Sequence, residues 1–276
     1  MATTVPINSE VKGTGPRLPA VDRALSLLEL LSYSQSGLTL SELSRKLQIP
    51  KSTAHYLIHT LATRGYIQRA ADGHHYSLGL RLADLANSSR ACNTLSSVVM
   101  PHLRRASQRL NLTAIATVLL GAEGVIIAKI HSLNDPGGGA WVGRHIDLHC
   151  TAQGKALIAQ LPESRLVEIF RGRDFARFTP RTINSFTALK EHLNTVRGRG
   201  YAVNDEEQVL SVRAVAAPIT DPCGSVVAAI TVRGSTSEIP SHRIDQLGTQ
   251  LIRIADDVSR DIGSDLCDQM LFARSQ

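Results

Sequence analysis

Between Pro19 and Ser32 the apolar residues Val21, Leu25, Leu28 and Leu31 recur at spacings of three and four, the period of an amphipathic helix. Gly37 ends this pattern. The stretch "TLSELSRKL" opens with Thr39 and places Glu42 three residues later. In that capping-box arrangement each side chain satisfies the other residue's free backbone N–H. A short second helix is therefore predicted, with Leu40, Leu43 and Leu47 facing inward. After the turn "QIP", "KSTAHYLIHTLATRG" keeps Ala54, Leu57, Ile58 and Leu61 on one stripe and leaves its first turns polar. Pro50 suits a first helical turn, where its missing N–H has no partner to lose. Two β-rich runs then flank Asp72-Gly73, the signature of a hairpin.

Beyond "LRLADLANSSR", which continues as a helix, the period changes. "TAIATVLL" and "GVIIAKI" read as strands joined by a turn at 121–124, and "NDPGGGA" as a loop. Helical patterns return at 151–161, 162–170 and 186–197. Strands follow at 201–203, 212–218 and 226–233, and a last helix at 241–262 carries Ile244, Leu247, Leu251, Ile254 and Val258. Grouped strands and helices of this kind predict an α+β domain with a mostly antiparallel sheet. The expected organisation is a mobile tail over 1–17, a helix-turn-helix domain with a hairpin wing over 18–79, a linker helix over 80–93 and the α+β domain over 94–276.

A chain of 276 residues has room for two such cores. Its 43% hydrophobic and 20% charged residues describe an ordinary globular composition. No apolar run reaches the eighteen or so residues of a membrane span, and the N-terminus lacks a secretory pattern. Cys92, Cys150, Cys223 and Cys267 are widely spaced and form no C-x-x-C pair, so reduced thiols and a cytoplasmic setting are expected. The formal charge of +6 makes an anionic partner reasonable.

A helix that starts polar after a tight turn suits the major groove of DNA, where its first turns reach base edges and its free amides meet phosphates. The candidate DNA contacts are Arg45, Lys46, Lys51, Ser52, Thr53, His55, Tyr56 and His59, with Arg64, Arg69, His74 and His75 on the wing side. Only Glu42 and Asp72 oppose them between 35 and 79. A basic surface of this kind favours phosphate contacts, which supply affinity more than specificity. Docking to a protein partner is the competing use of such a domain.

The segments "VDRALSLLELLS", "GLTLSELSRKLQIPKSTAHYLIHTLATRGYI", "YSLGLRLADLA", "LHCTAQGKALIAQLP" and "VRGRGYAVNDEEQVLSVRAVAAPITDPCGSVVAAITV" occur in this order between Leu18 and Ile262. Together they resemble the IclR family of bacterial transcriptional regulators. The resemblance implies a winged helix-turn-helix, a linker helix and a GAF-like sensor domain for a small effector. It also implies a homodimer or tetramer that binds a double-stranded operator, most often to repress a catabolic operon, with no cofactor. Matched motif to motif, the implied effector pocket draws on Thr151, Ala152, Gln153, Gly154, Asn204, Asp205, Ala214, Thr231 and Arg233. Asp147, Gln153, Ala214 and Arg233 depart from the residues usual in the family. Arg233 invites a two-pronged hydrogen bond to an effector carboxylate, with Gln153 and Asn204 reading the remainder. The alternative is that Arg233 pairs with Asp205 or Glu206.

Catalytic chemistry has little in the sequence to support it. His145, His149 and Cys150 offer a metal or nucleophile spacing without a recognisable further ligand. Neither a phosphate-binding G-x-x-x-x-G-K-[ST] loop nor a G-x-S-x-G elbow occurs. The "NDEE" carboxylates read as a hydrogen-bonded loop better than as an acid–base pair.

Overall fold

A computed structural model describes residues 18–32, 34, 36–88, 90–132, 134–135 and 140–273; of 86–88, 90–94 and 264–273 it describes the backbone alone. The tail expected over 1–17 and most of the "NDPGGGA" loop lie outside these residues. The chain divides into two compact units between Ser88 and Ser89.

In the first unit α1 (Pro19–Ser32), β1 (Leu38–Thr39), α2 (Leu40–Leu47), α3 (Lys51–Thr63), β2 (Ile67–Arg69), β3 (His75–Leu78) and α4 (Arg81–Ser88) follow one another. The capping box is present: the Thr39 Oγ1 accepts from the Glu42 N–H at 3.3 Å and the Thr39 N–H donates to Glu42 Oε2 at 2.8 Å. Gln48 ends α2 in the left-handed region at φ 54°, turning the chain sharply into α3. Pro50 stands at the cap of α3, one position before the helical turn predicted for it. Strand β1 was not predicted. Its two residues pair with His75 and Tyr76 at the edge of the wing, giving the order β1-β3-β2.

The inward stripe of α1 also differs from the predicted one. Leu27, Leu30 and Leu31 are buried with Leu43, Ile58 and Ile67, whereas Val21 and Leu25 are exposed. The helix is apolar on two sides, and periodicity alone does not say which side meets α2 and α3.

The second unit contains α5 (Arg90–Leu110), β4 (Thr113–Leu120), β5 (Glu123–Ile130), β6 (His145–Ile146), α6 (Ala152–Ile158), α7 (Glu163–Phe170) and α8 (Phe186–Arg199). It continues with β7 (Ala202–Asp205), β8 (Val212–Thr220), β9 (Val226–Ser235) and α9 (Ile244–Ala273), which runs on past Ile262. Six strands form one sheet in the order β6-β5-β4-β9-β8-β7, antiparallel at every pairing. On one face, Val99, Leu103 and Ala106 of α5 and Leu247, Leu251, Ala255 and Val258 of α9 cover Val215, Ala217, Ile230 and Val232. On the other face α6 lies against Ala214, Ala216 and Ala229. Side chains this small let α6 approach the strands closely, and all seven of its residues are buried.

Candidate functional site

Two sets of residues were singled out as functional, and each lies within one unit. In the first unit the helix α3 buries Ala54 and Ile58 and turns Lys51, Ser52, His55, Tyr56 and His59 outward, with Thr53 half-buried between them. Tyr56 is 73% exposed. His55 stacks on His59 one turn along and meets Tyr56 edge-on. No side chain caps α3, so the amides of its first turn remain available to an external acceptor.

Arg45, Lys46 and Arg64 are exposed, as is His74 on the wing. Arg69 lies over the Tyr76 ring at 5.9 Å. His75 is less available than expected, because its Nδ1 is 2.5 Å from Asp72 Oδ2. The Asp72 Oδ1 also accepts the His74 and His75 backbone N–H groups at the wing tip, and these bonds hold its carboxyl well below the usual range.

In the second unit a cavity of about 30 Å³ lies between the sheet, the start of α6 and the loop after β7. Sheet register places Asn204 opposite Ala214 and Ala214 opposite Arg233, so three residues of three neighbouring strands share one row and one face. All three line the cavity with Thr151 and Gln153. The Thr151 Oγ1 caps α6 by accepting the Gly154 N–H, and it donates to the Asp147 carbonyl. At Gly154 a Cβ would lie 2.6 Å from Leu148 Cα, so only glycine lets this turn sit so close to the preceding loop.

Four of the expected pocket residues do not line the cavity. Ala152 and Gly154 are packed inside the α6 turn, and Thr231 is fully buried beneath that helix. The Asp205 carboxylate is taken by Arg213 at 2.5 Å and Arg181 at 3.1 Å. Consequently Arg233 pairs with neither Asp205 nor Glu206. Its Nη1 reaches Asp135 at 3.3 Å, and Asp135 also receives Lys129 at 2.7 Å and His131 at 2.9 Å. Burial works against ionised Asp135, but the Lys129 bond and the surrounding cations hold its carboxyl low.

Sequence reasoning missed Ile115, Ile126, Arg144, Gln208 and Val212, which complete much of the lining. Alternation on β4 and β5 could have marked the two isoleucines as inward-facing. Nothing local marks Arg144, which lies over Trp141 at 5.0 Å ahead of β6. Burial lowers the pKa of both Arg144 and Arg233. Asp147 opposes that shift at Arg144 and Asp135 opposes it at Arg233, where the nearby charge of Arg144 lowers it further.

The "NDEE" loop is structural. Asn204 Oδ1 accepts the Glu207 N–H at 2.9 Å, and the Thr182 hydroxyl donates to the Glu207 carbonyl at 2.6 Å. The Glu207 carboxylate meets the fully buried Lys155 at 2.5 Å. Burial pushes Glu207 up and Lys155 down, while their mutual attraction opposes both shifts. Cys150 is likewise buried, and burial pushes its thiol up, away from the reactive thiolate. His149 Nε2 faces the Ala176 carbonyl and His145 bonds Glu123, so neither histidine is aimed at Cys150. Among the described residues no three histidine, cysteine or carboxylate side chains converge as a metal site would need.

Residues 20–71 match the IclR helix-turn-helix domain, and residues 92–260 match the bacterial transcriptional regulator IclR C-terminal domain. The chain belongs to the IclR family. It is thus a DNA-binding transcriptional regulator with an effector-binding domain, and not an enzyme. It is 32% identical to the HTH-type transcriptional regulator XynR of Escherichia coli K12, over 90% of this chain and 98% of that one. It is 28% identical to the acetate operon repressor of Salmonella typhimurium LT2, over 94% and 92%. An IclR homologue from Microbacterium hydrocarbonoxydans, crystallised with 4-hydroxybenzoate, has the same fold with a TM-score of 0.78 at 23% identity, over 88% of this chain and 98% of that one. No helix among the described residues is long and apolar enough to cross a membrane.

Proposed function

We propose that this IclR-family chain is a repressor of a catabolic operon whose operator affinity is switched by a small organic acid bound in the α6 cavity. Arg233 carries the reading. Its side chain is 11% exposed and lines the cavity, yet among the described residues its guanidinium makes one hydrogen bond, the long one to Asp135. Desolvated guanidinium donors left over in this way favour a carboxylate, which accepts two parallel N–H bonds. The capped start of α6 adds the positive end of a helix dipole on the same side. The acetate operon repressor among the relatives fits control of a catabolic operon, and the 4-hydroxybenzoate held by the Microbacterium homologue fits a small acid as the effector.

On DNA, Ser52 and Thr53 would enter the groove and Arg45, Lys46, Lys51, Arg64 and Arg69 would meet phosphates, while His75 is held by Asp72 and is the weakest of the candidate contacts. A dimer, or a tetramer of paired dimers, fits the second apolar side of α1, where Leu18, Val21 and Leu25 stand exposed in the first unit. Its two-fold axis would match a pseudo-palindromic operator. The protein would act in the cytoplasm, where its operator is.

The test is a fluorescence-anisotropy titration of the full chain on its own upstream intergenic DNA at two salt concentrations, with Ser52→Ala alongside. Tight, salt-sensitive binding that falls about tenfold on the substitution is expected. Release of that DNA by a small carboxylate, abolished by Arg233→Met, is the second expected result. Binding no tighter than to random duplex, together with an unchanged response in Arg233→Met, would overturn the reading.

A further inference from the structure

Glu207 Oε2, Arg199 Nη2 and His192 Nε2 are fully buried polar atoms with no hydrogen-bond partner among the described residues, and the charge of Lys155 reaches all three side chains. Glu207 Oε1 accepts from Lys155 Nζ at 2.5 Å, which leaves the second carboxylate oxygen buried without a donor. Arg199 Nη2 is a buried donor without an acceptor. Burial lowers the pKa of Arg199, and Tyr201, Asp245 and Glu207 oppose that shift, so Glu207 and Arg199 stand within electrostatic reach of each other. An unpaired carboxylate oxygen and an unpaired guanidinium nitrogen are natural partners, and leaving both unmade is a cost that a small movement would relieve.

The two residues belong to different parts of the sensor unit. Asn204 Oδ1 accepts the Glu207 N–H, and Gln208 and Val209, which follow Glu207, line the cavity. This loop is bounded by Glu206 and Ser211, non-glycine residues in the left-handed region at φ 58° and 61°, a strain that a shift of the loop can relax. Arg199 closes α8. Its Nε donates to the Tyr201 carbonyl at 2.7 Å, and its guanidinium lies over the Tyr201 ring at 4.6 Å. The Tyr201 hydroxyl donates to Asp245 Oδ1 at 2.6 Å in the first turn of α9, and at Gly248 of the same helix a Cβ would lie 2.5 Å from Tyr201 Cδ1. Tyr201 packs in the core under α9 and Ala202 in the core under α6, so this corner passes round the edge of the sheet from one face to the other.

We propose that Glu207 is a two-position switch, held by Lys155 alone in this structure and shared with Arg199 when the cavity loop moves, and that Arg199 and Tyr201 pass the change to the start of α9. This rests on the effector reading only for what moves the loop: an occupant pressing on Gln208 and Val209 carries Glu207 with it. In the first position the guanidinium is spent on Tyr201. In the second it leaves the Tyr201 carbonyl for the carboxylate, and the ring that packs on α9 loses the cation lying over it. Lys155 remains a countercharge in both positions, so neither leaves Glu207 uncompensated and the two stay close in free energy. Two discrete packed arrangements let a small displacement at the cavity be read on the far face of the sheet.

Amide hydrogen exchange of the full chain without ligand, followed by mass spectrometry, tests the route through two substitutions of opposite effect. Lys155→Gln removes the charge that competes for Glu207 and turns it toward Arg199. Glu207→Gln removes the charge that draws Arg199 and leaves it on Tyr201. Over 244–251, exchange should become faster by about threefold or more in Lys155→Gln and slower in Glu207→Gln, with 113–120 steady in Glu207→Gln. Added to an Arg199→Gln chain, either substitution should move 244–251 by less than about 1.5-fold. Side chains that only stabilise the fold would speed exchange in both variants. The same direction in both, no change at 244–251, or effects that survive Arg199→Gln would overturn the inference. Should Lys155→Gln not fold, Glu207→Gln decides alone: slower exchange that requires Arg199 supports the switch, and any other result removes it. No effector enters the experiment, so this inference and the effector reading fail separately.

Discussion

The two halves of this chain keep their functional side chains in opposite ways. On α3 and the wing the candidate DNA contacts stand in solvent, and their neighbours are one helical turn or one hairpin away. In the sensor unit the charged groups at and behind the cavity are buried or half-buried and tied to residues remote in sequence. Lys155 and Glu207 are 52 positions apart, and Arg233 and Asp135 are 98 apart. A surface that waits for DNA needs only an exposed face with the right chemistry. A pocket that discriminates small acids needs groups held rigid by their own buried partners. Substitutions should therefore cost binding in the first unit and folding in the second.

The largest effect is expected at Lys155. Replacing it with Met leaves the Glu207 carboxylate buried without its cation, which costs about 3–5 kcal/mol. The only tryptophan, Trp141, lies in the sensor unit, so urea denaturation followed by its fluorescence isolates that unit. The midpoint should fall sharply, and the double change Lys155→Met with Glu207→Leu should recover most of it. A midpoint shift of less than about 1 kcal/mol for the single variant would mean that the buried pair holds nothing in place.

The same contrast explains what could be read from the sequence. The helix-turn-helix was legible because its determinants are local: the Thr39–Glu42 box, the Asp72-Gly73 turn and the Ala54–Ile58 stripe each act within a few residues. The long strands β4, β5, β8 and β9 were legible from their apolar runs, whereas the two-residue β1 and β6 were not. The inner side of α1 was not, since that helix is apolar on both faces and tertiary docking chose Leu27, Leu30 and Leu31. Motif matching found Thr151, Gln153, Asn204, Ala214 and Arg233, but it also swept in Asp205, whose partners Arg213 and Arg181 are fixed by pairing across strands and loops. Arg144 and Asp135 could not be found, because their roles arise when β5, β6 and β9 come together in space.

A middle-sized effect separates the units by pH. His192 is half-buried near Lys155 and Arg199; burial first, then those two cations, lowers its pKa from 6.5 to about 4. Above pH 6.5 the ring is neutral in both states and costs nothing. As pH falls from 6.5 toward 4, the unfolded chain binds a proton that the folded one refuses, so stability declines across that window. With solvent screening at this half-buried ring, the loss should be roughly 1.5 kcal/mol. His192→Gln should flatten the slope in the Trp141 signal. An unchanged slope would place the titrating group elsewhere and weaken the view that the sensor unit is organised by its buried charges.

The smallest stability effect belongs to the DNA-binding unit, and there it tests the contrast from its other side. Lys51 is exposed at the start of α3, with no ion pair to another described residue. Lys51→Ala should shift the urea midpoint of this unit, followed by circular dichroism, by no more than about 0.5 kcal/mol. Its effect should appear in the salt dependence of DNA binding. Removing one phosphate anchor lowers the slope of log K against log salt by about 1, and affinity falls by a similar factor on every duplex, operator or random. If Lys51→Ala instead relaxed the preference for operator over random DNA with the slope intact, Lys51 would be reading a base edge. Lys51 would then join Ser52 and Thr53 among the specifying residues, and the anchors would be confined to α2, the end of α3 and the wing.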